Sequence, residues 1–334
     1  MLENENNISG ISENLSESIE EKELNEKDQV NFLILRNKKI AISVSESEES
    51  EELGLSNQHL KDMSIEIARY LIVNGAKLLY GGDLRNDGYT DLFSELSYQY
   101  KYLHDKEFSL LNYFPFPNAK DLTTNAKAKL REKQVDVKIL DVPDSLGKLD
   151  PLKFYNPKEN IEDRYHFAEC FSDMRLQMAK VCDARIVVGG KQNDFTGYFP
   201  GIVEEALYSL KVGKPVYLLG GFGGATKSII EMISGNRPIQ MTNEYQFNSD
   251  FLIAFREYSF GMTNVITDYD YLFEFFSRYT LDEISRNNGL SVEENQILFE
   301  SVNIHELIFL IINIKKKLRL IWNSIWFHTF ALEY

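Results

Sequence analysis

ARIVVGGKQNDFTGYFPGIVEEALYSLKVGKPVYLLGGFGG, residues 184–224, sets two short apolar runs on either side of a helical pattern that opens at Gly201. Each run ends at a glycine pair, Gly189-Gly190 and Gly220-Gly221. A short, continuous apolar run bounded by such a corner reads as a strand buried on both faces, since a strand with one wet face would alternate. The helix between the runs carries the chain back, so the two strands are expected to lie parallel.

The same unit repeats outward in both directions. Towards the N-terminus, KKIAISVS from Lys38 predicts a strand, and LSNQHLKDMSIEIARYLIVNGA a helix with Ser56 as N-cap and Gly75 as its stop. KLLYGG predicts a second strand, whose corner GGDLRNDGYTDLFSELSYQY runs straight into a helix. FSLLNYF, a helix near 118–132, VDVKIL and a long helix near 161–181 come next, and past PVYLLGG a helix is expected from about Gly224 to Ser234. This alternation predicts an α/β fold: a doubly wound, mainly parallel Rossmann-like sheet with a helical C-terminal extension. Three regions are expected: an acidic tail over 1–36 too poor in apolar residues to bury, an α/β domain over 37–240, and a helical segment over 241–334 packed on it. The run LIFLIINI near the C-terminus is far shorter than the ~20 residues of a bilayer crossing. Its basic continuation from Lys315 to Arg319, with Trp322 and Trp326 close behind, reads as a cationic helix end rather than a membrane-surface anchor.

Charge narrows the function. Lys and Arg total 36 against 51 Asp and Glu, a formal net charge of -15. A field of that sign repels nucleic acid and anionic lipid, while a small anion can still be held by backbone N–H groups at a helix start. The two cysteines, Cys170 and Cys182, form no CxxC pattern, and His and Cys show no ligand spacing, so no metal is expected. Reduced thiols and an N-terminus without a basic-then-apolar leader predict a cytoplasmic protein.

In an open parallel sheet the ligand lies beyond the carboxyl ends of the strands, so the informative residues come just after each strand. Four corners qualify. They hold Ser43 and Ser45 after the first strand, Gly81, Gly82, Asp83 and Arg85 after the second, Gly189, Gly190 and Lys191 after the fifth, and Gly220, Gly221, Phe222, Gly223 and Gly224 after the sixth. Gly201 opens the helix that carries Glu204 and Glu205. Arg164 and Arg175, on the long helix, join Lys191 and Arg85 as cations able to meet a phosphate. Each feature has a plainer explanation: glycine suits any tight turn, first-turn carboxylates complement the helix dipole, and cations pair with the many acids. Neither GxGxxG nor GxxxxGK[ST] is present; the first corner reads ISVSESEES.

Read together, ARIVVGG, YFPGIVEEALYSL, PVYLLGGFGG, KIAISVSESEESEELGLSNQHL and LLYGGDLRNDGYTDLF resemble the SLOG superfamily, in particular its prokaryotic branch related to the nucleotide-sensing region of melastatin-type channels. The resemblance implies a sheet whose glycine corners bind a nucleotide or NAD-derived ligand such as an ADP-ribose derivative, with Phe222 stacking on its base and no further cofactor. It also implies a sensor in bacterial antiviral defence or stress signalling, coupled to a separate effector protein or to a second copy of itself. More distant relatives, the LOG or lysine-decarboxylase-like proteins, hydrolyse nucleoside monophosphates with a PGGxGTxxE motif. Here the matching corner reads GGKQNDFTGYFPGIVEE, with the tight spacing broken by an insertion. The expectation is therefore a ligand-binding module. The alternative is an N-glycosidase using Glu204 or Glu205.

Overall fold

The computed structural model describes residues 35–312, apart from 86, 105–107 and 264–267; residues 1–34 of the acidic tail expected over 1–36 and the stretch from Lys315 to Trp326 lie outside the described residues, while Leu35, inside that expected tail, is buried in the core. In chain order the elements are β1 (Lys39–Ser45), α1 (Glu49–Glu52), α2 (Asn57–Val73), β2 (Lys77–Gly81), α3 (Tyr89–Gln99), β3 (Leu110–Phe114), α4 (Phe116–Ala119), α5 (Thr124–Glu132), β4 (Val135–Ile139), α6 (Ile161–Val181), β5 (Ala184–Gly189), α7 (Gly201–Lys211), β6 (Val216–Leu219) and α8 (Gly224–Ile233). Six more helices follow among the described residues: α9 (Asn243–Gln246), α10 (Asp250–Thr263), α11 (Tyr269–Ser277), α12 (Leu281–Asn288), α13 (Val292–Glu300) and α14 (Ile304–Ile312).

The strands form one sheet in the order β4-β3-β2-β1-β5-β6, and every neighbouring pair is parallel. Side chains alternate across each strand, so β1 sends Ile40, Ile42 and Val44 to one face and Ala41 and Ser43 to the other. On the first face they share a core with α2, α3, α13 and α14. On the second, Ala41, Leu79 and Leu111 pack with Met174 and Met178 of α6 and with Cys182 just past its end, while Val187 and Leu218 pack with α7 and α8.

Two local signals work as their chemistry requires. Ser56 caps α2 in a reciprocal box completed by His59, whose Nδ1 accepts the Ser56 N–H at 2.9 Å, and Gly75 stops the helix with φ 85°. The single helix expected near 118–132 is instead split into α4 and α5. Thr123 accepts the Ala126 N–H at 3.1 Å and starts a new helix there.

The helices after 241 are built into the same cores rather than forming a body of their own. The edge strand β6 shows why. Its Val216 N–H donates to Asn287 Oδ1 at 2.9 Å, and its carbonyl accepts Asn288 Nδ2 at 3.1 Å. Two asparagine side chains thus take the place of a seventh strand and satisfy an edge that would otherwise be open to pairing with another chain. Among the described residues no helix is long and apolar enough to cross a membrane.

The length of α6 carries it beyond the sheet. Its 21 residues span about 31 Å, against roughly 20 Å for β5. Only Cys182 and Asp183 separate α6 from β5, so its last turns lie along the sheet and its first turns project past the carboxyl edge. Met174 and Met178 accordingly meet the sheet, whereas Tyr165 packs against Tyr258 of α10, with ring centroids 5.5 Å apart. Replacing Asn288 by Ala strands the buried Val216 carbonyl; urea unfolding should show a loss of about 1–3 kcal/mol with an unchanged m-value.

Candidate functional site

The order of the sheet reverses between β1 and β5, which places the crevice of a doubly wound fold at their carboxyl ends. The backbones there are tightly joined. Gly190 N–H donates to the Ser45 carbonyl at 2.8 Å, and the carbonyls of Gly190 and Gly189 accept Ala225 N–H and Thr226 Oγ1, both at 2.9 Å. Gly189 and Gly190 have φ of 62° and 103°. A methyl group on Gly190 would lie 2.8 Å from Ile202 and 2.9 Å from Ala225, so this glycine pair lets α7 and α8 close on β5. Beyond the pair opens a cleft of 300 Å³, lined chiefly by Glu46, Ser47, Glu48, Glu51, Lys191 and Gln192.

The start of α8 adjoins this region through Gln192 and Glu49. Its Gly224 N–H, the kind of donor expected to meet a ligand phosphate, donates to Glu49 Oε2 at 2.7 Å. Gln192 Nε2 donates to the other Glu49 oxygen at 3.1 Å and to Ser228 Oγ at 2.8 Å. The protein's own carboxylate therefore holds the anion position. The rest of the corner departs from expectation. Gly220 and Gly221 face the carbonyls of Phe299 and Ser301 at the end of α13, where any Cβ would collide, so their glycines serve packing. Phe222 is 2% exposed and lies in the core, out of reach of any stacking role.

Glu204 and Glu205 lie beneath the crevice, between the sheet and α6. No side chain caps α7. Glu204, 1% exposed, accepts hydrogen bonds from Arg175 Nη1, Ser172 Oγ and, at 3.3 Å, the Tyr208 hydroxyl. Glu205 accepts from Ser43 Oγ and, at 2.7 Å, from Arg185 Nη1. Arg185 is fully buried in β5 and also donates to Ser43 Oγ and Ser209 Oγ, each at 2.7 Å. Arg175 Nε stands 4.0 Å from Glu205 Oε1, so two arginines and two glutamates form one charge-balanced cluster. Gly201 makes room for it: a methyl group there would lie 2.8 Å from Arg175 Nη2.

The second corner divides. Gly81 lies under Met174 and Glu205, and a Cβ on Gly82 would strike Phe114. Asp83 accepts the Arg85 N–H at 2.9 Å and pairs with its guanidinium at 3.2 Å. Both line a separate 820 Å³ groove beside α3 and α5. The expected site residues thus share the carboxyl edge of the sheet without lining one hollow. Lys191 lines the cleft at the switch point, Ser43, Gly81, Arg175, Gly201, Glu204 and Glu205 belong to the ion cluster, and Asp83 and Arg85 face the groove.

Arg185 and Glu49 are among the participants absent from the residues expected from sequence. Arg185 has a signal, since a charged residue inside an apolar strand demands a buried partner. Glu49 has none, being one acid in the run ESEESEE.

The chain belongs to the SLOG superfamily: a family model described as SLOG cluster2 matches residues 34–298. No curated protein matches it.

The buried groups are open to direct measurement. Arg175→Met leaves Glu204 charged and unpaired, which is expected to cost about 3–5 kcal/mol in urea unfolding, most of it recovered when Glu204→Leu is added. Burial pushes the Cys170 thiol up to about 12 and raises that of Cys182, so a thiol reagent at pH 8 should label neither until denaturant is added.

Proposed function

We propose, from its place in the SLOG superfamily, that the protein is a nucleotide-sensing module whose switch-point cleft takes a nucleotide or NAD-derived ligand of the ADP-ribose kind. The observation that carries this reading is the 300 Å³ cleft at the one reversal in strand order, where doubly wound sheets hold their ligands. Lys191 supplies the cation for a phosphate, and Glu46, Glu48 and Glu51 supply acceptors for ribose hydroxyls or an exocyclic amine. Three carboxylates against one ammonium repel a bare triphosphate more than a ligand with one or two phosphate charges.

The hydrolytic reading needs a carboxylate free to touch water or the ribosyl carbon. Glu204 is enclosed by Arg175, Ser172 and Tyr208, and Glu205 is tied to Arg185 and Ser43. Sensing is therefore the better-supported role, in a cytoplasmic defence or stress pathway that acts through a separate effector or a second copy of the chain.

Calorimetry with ADP-ribose, its cyclic isomers, NAD and ATP tests this. ADP-ribose or NAD should bind more tightly than ATP, and Lys191→Ala should weaken binding by roughly 10–100-fold. Absence of heat and of any Tm shift with all of them at millimolar concentration would rule the reading out.

A further inference from the structure

Among the described residues three arginines are buried, Arg185 on β5 and Arg164 and Arg175 on α6, and two of them face glutamates. The third, Arg164 in the first turn of α6, is 8% exposed and does not. Its Nη2 donates to the Phe195 carbonyl at 2.7 Å, and its Nε has no partner. Among the described residues no carboxylate lies within 4.0 Å of it; burial lowers its pKa, and Tyr269 and Asp194 act in the opposite direction. Leaving a guanidinium dry and without an anion is costly, which is the reason buried arginines are normally paired.

Its surroundings hold it in place. The guanidinium carbon sits 5.0 Å from the Phe255 ring centroid and 5.8 Å from that of Phe251, both on α10. Across from it Tyr269, which begins α11, is completely buried, and its hydroxyl has no hydrogen-bond partner. That ring is wedged edge-on against Phe199 at 5.3 Å and Phe247 at 5.9 Å, so it cannot swing out to find one. Arg164 and Tyr269 line the same 120 Å³ cavity, with Phe195, Gly197, Tyr198 and Phe247 completing most of its wall. The acid on its lining, Asp194, pairs with Lys158 at 3.3 Å, both side chains being well exposed.

We propose that this cavity is a second binding site, for a small oxyanion, carboxylate or phosphate, held by Arg164 and Tyr269. Both residues lack the partner that an oxyanion supplies: a guanidinium without a counter-charge and a phenol without an acceptor. The cavity is large enough for such a group with a few waters and too small for a nucleotide. It shares no lining residue with the switch-point cleft, so it stands or falls independently of the nucleotide reading.

Titration calorimetry of the full chain with inorganic phosphate, phenyl phosphate, acetate and benzoate, with chloride as control, decides it. At least one oxyanion should bind one-to-one and raise Tm, and the pattern among the four separates phosphate from carboxylate. Arg164→Met should abolish that binding, Tyr269→Phe should weaken it by roughly 2–10-fold, and Lys191→Ala should leave it unchanged. Should Arg164→Met fail to fold, Tyr269→Phe, which keeps the ring packing, carries the test alone. Failure of all four anions to bind, or wild-type binding by the variants, overturns the proposal.

Discussion

A fully buried arginine in a parallel strand governs the carboxyl half of this molecule. Arg185 emerges from β5 into the layer between sheet and helices, where a guanidinium is tolerated only with a counter-charge and hydrogen-bond partners. Ser43 from β1, Ser209 from the far end of α7 and Glu205 from its second turn supply them. Helix α7 is thereby fixed in height and rotation over β1 and β5. Glu204, one residue earlier, is turned towards α6 and needs its own cation, Arg175. The adjacent glutamates thus serve two partners in two directions, and Gly201 precedes them because the second guanidinium lies against its Cα.

The fold was legible because its signals are redundant. Each strand is short and apolar with a turn behind it, and helices of ten to twenty residues between them admit hardly any arrangement but a parallel sheet covered on both sides. The long helix over 161–181 could be read to the residue, since nothing within IEDRYHFAECFSDMRLQMAKV breaks it. Where a signal was weaker the reading slipped. Thr123 competes as a cap and divides one expected helix in two, an effect worth about 1 kcal/mol that periodicity does not register.

The site was legible only in part, and the reason is physical. Glycine after a strand marks close approach, but not what approaches. At Gly190 it is the first turns of α7 and α8, at Gly201 an arginine, and at Gly221 the backbone of α13, contributed from about eighty positions further along the chain. Phe222, flanked by glycines, looks free in sequence yet is drawn into the core by Leu298, Leu307 and their neighbours. Such distant partners leave no trace at the glycine itself. Family membership and sheet topology both direct attention to the same edge, and only side-chain placement separates its hollows.

Glu49 gives that edge a built-in rival. Tethered a few residues beyond β1, its carboxylate competes for the Gly224 amide at the high local concentration that a short connection imposes. An incoming anion gains access there only by displacing it. Eviction would also unseat the four-residue α1, whose Ser50 is buried with its hydroxyl on the Phe222 carbonyl. The Gly224 amide and the segment after β1 are thus one mechanical unit, in which neither can change partner without the other.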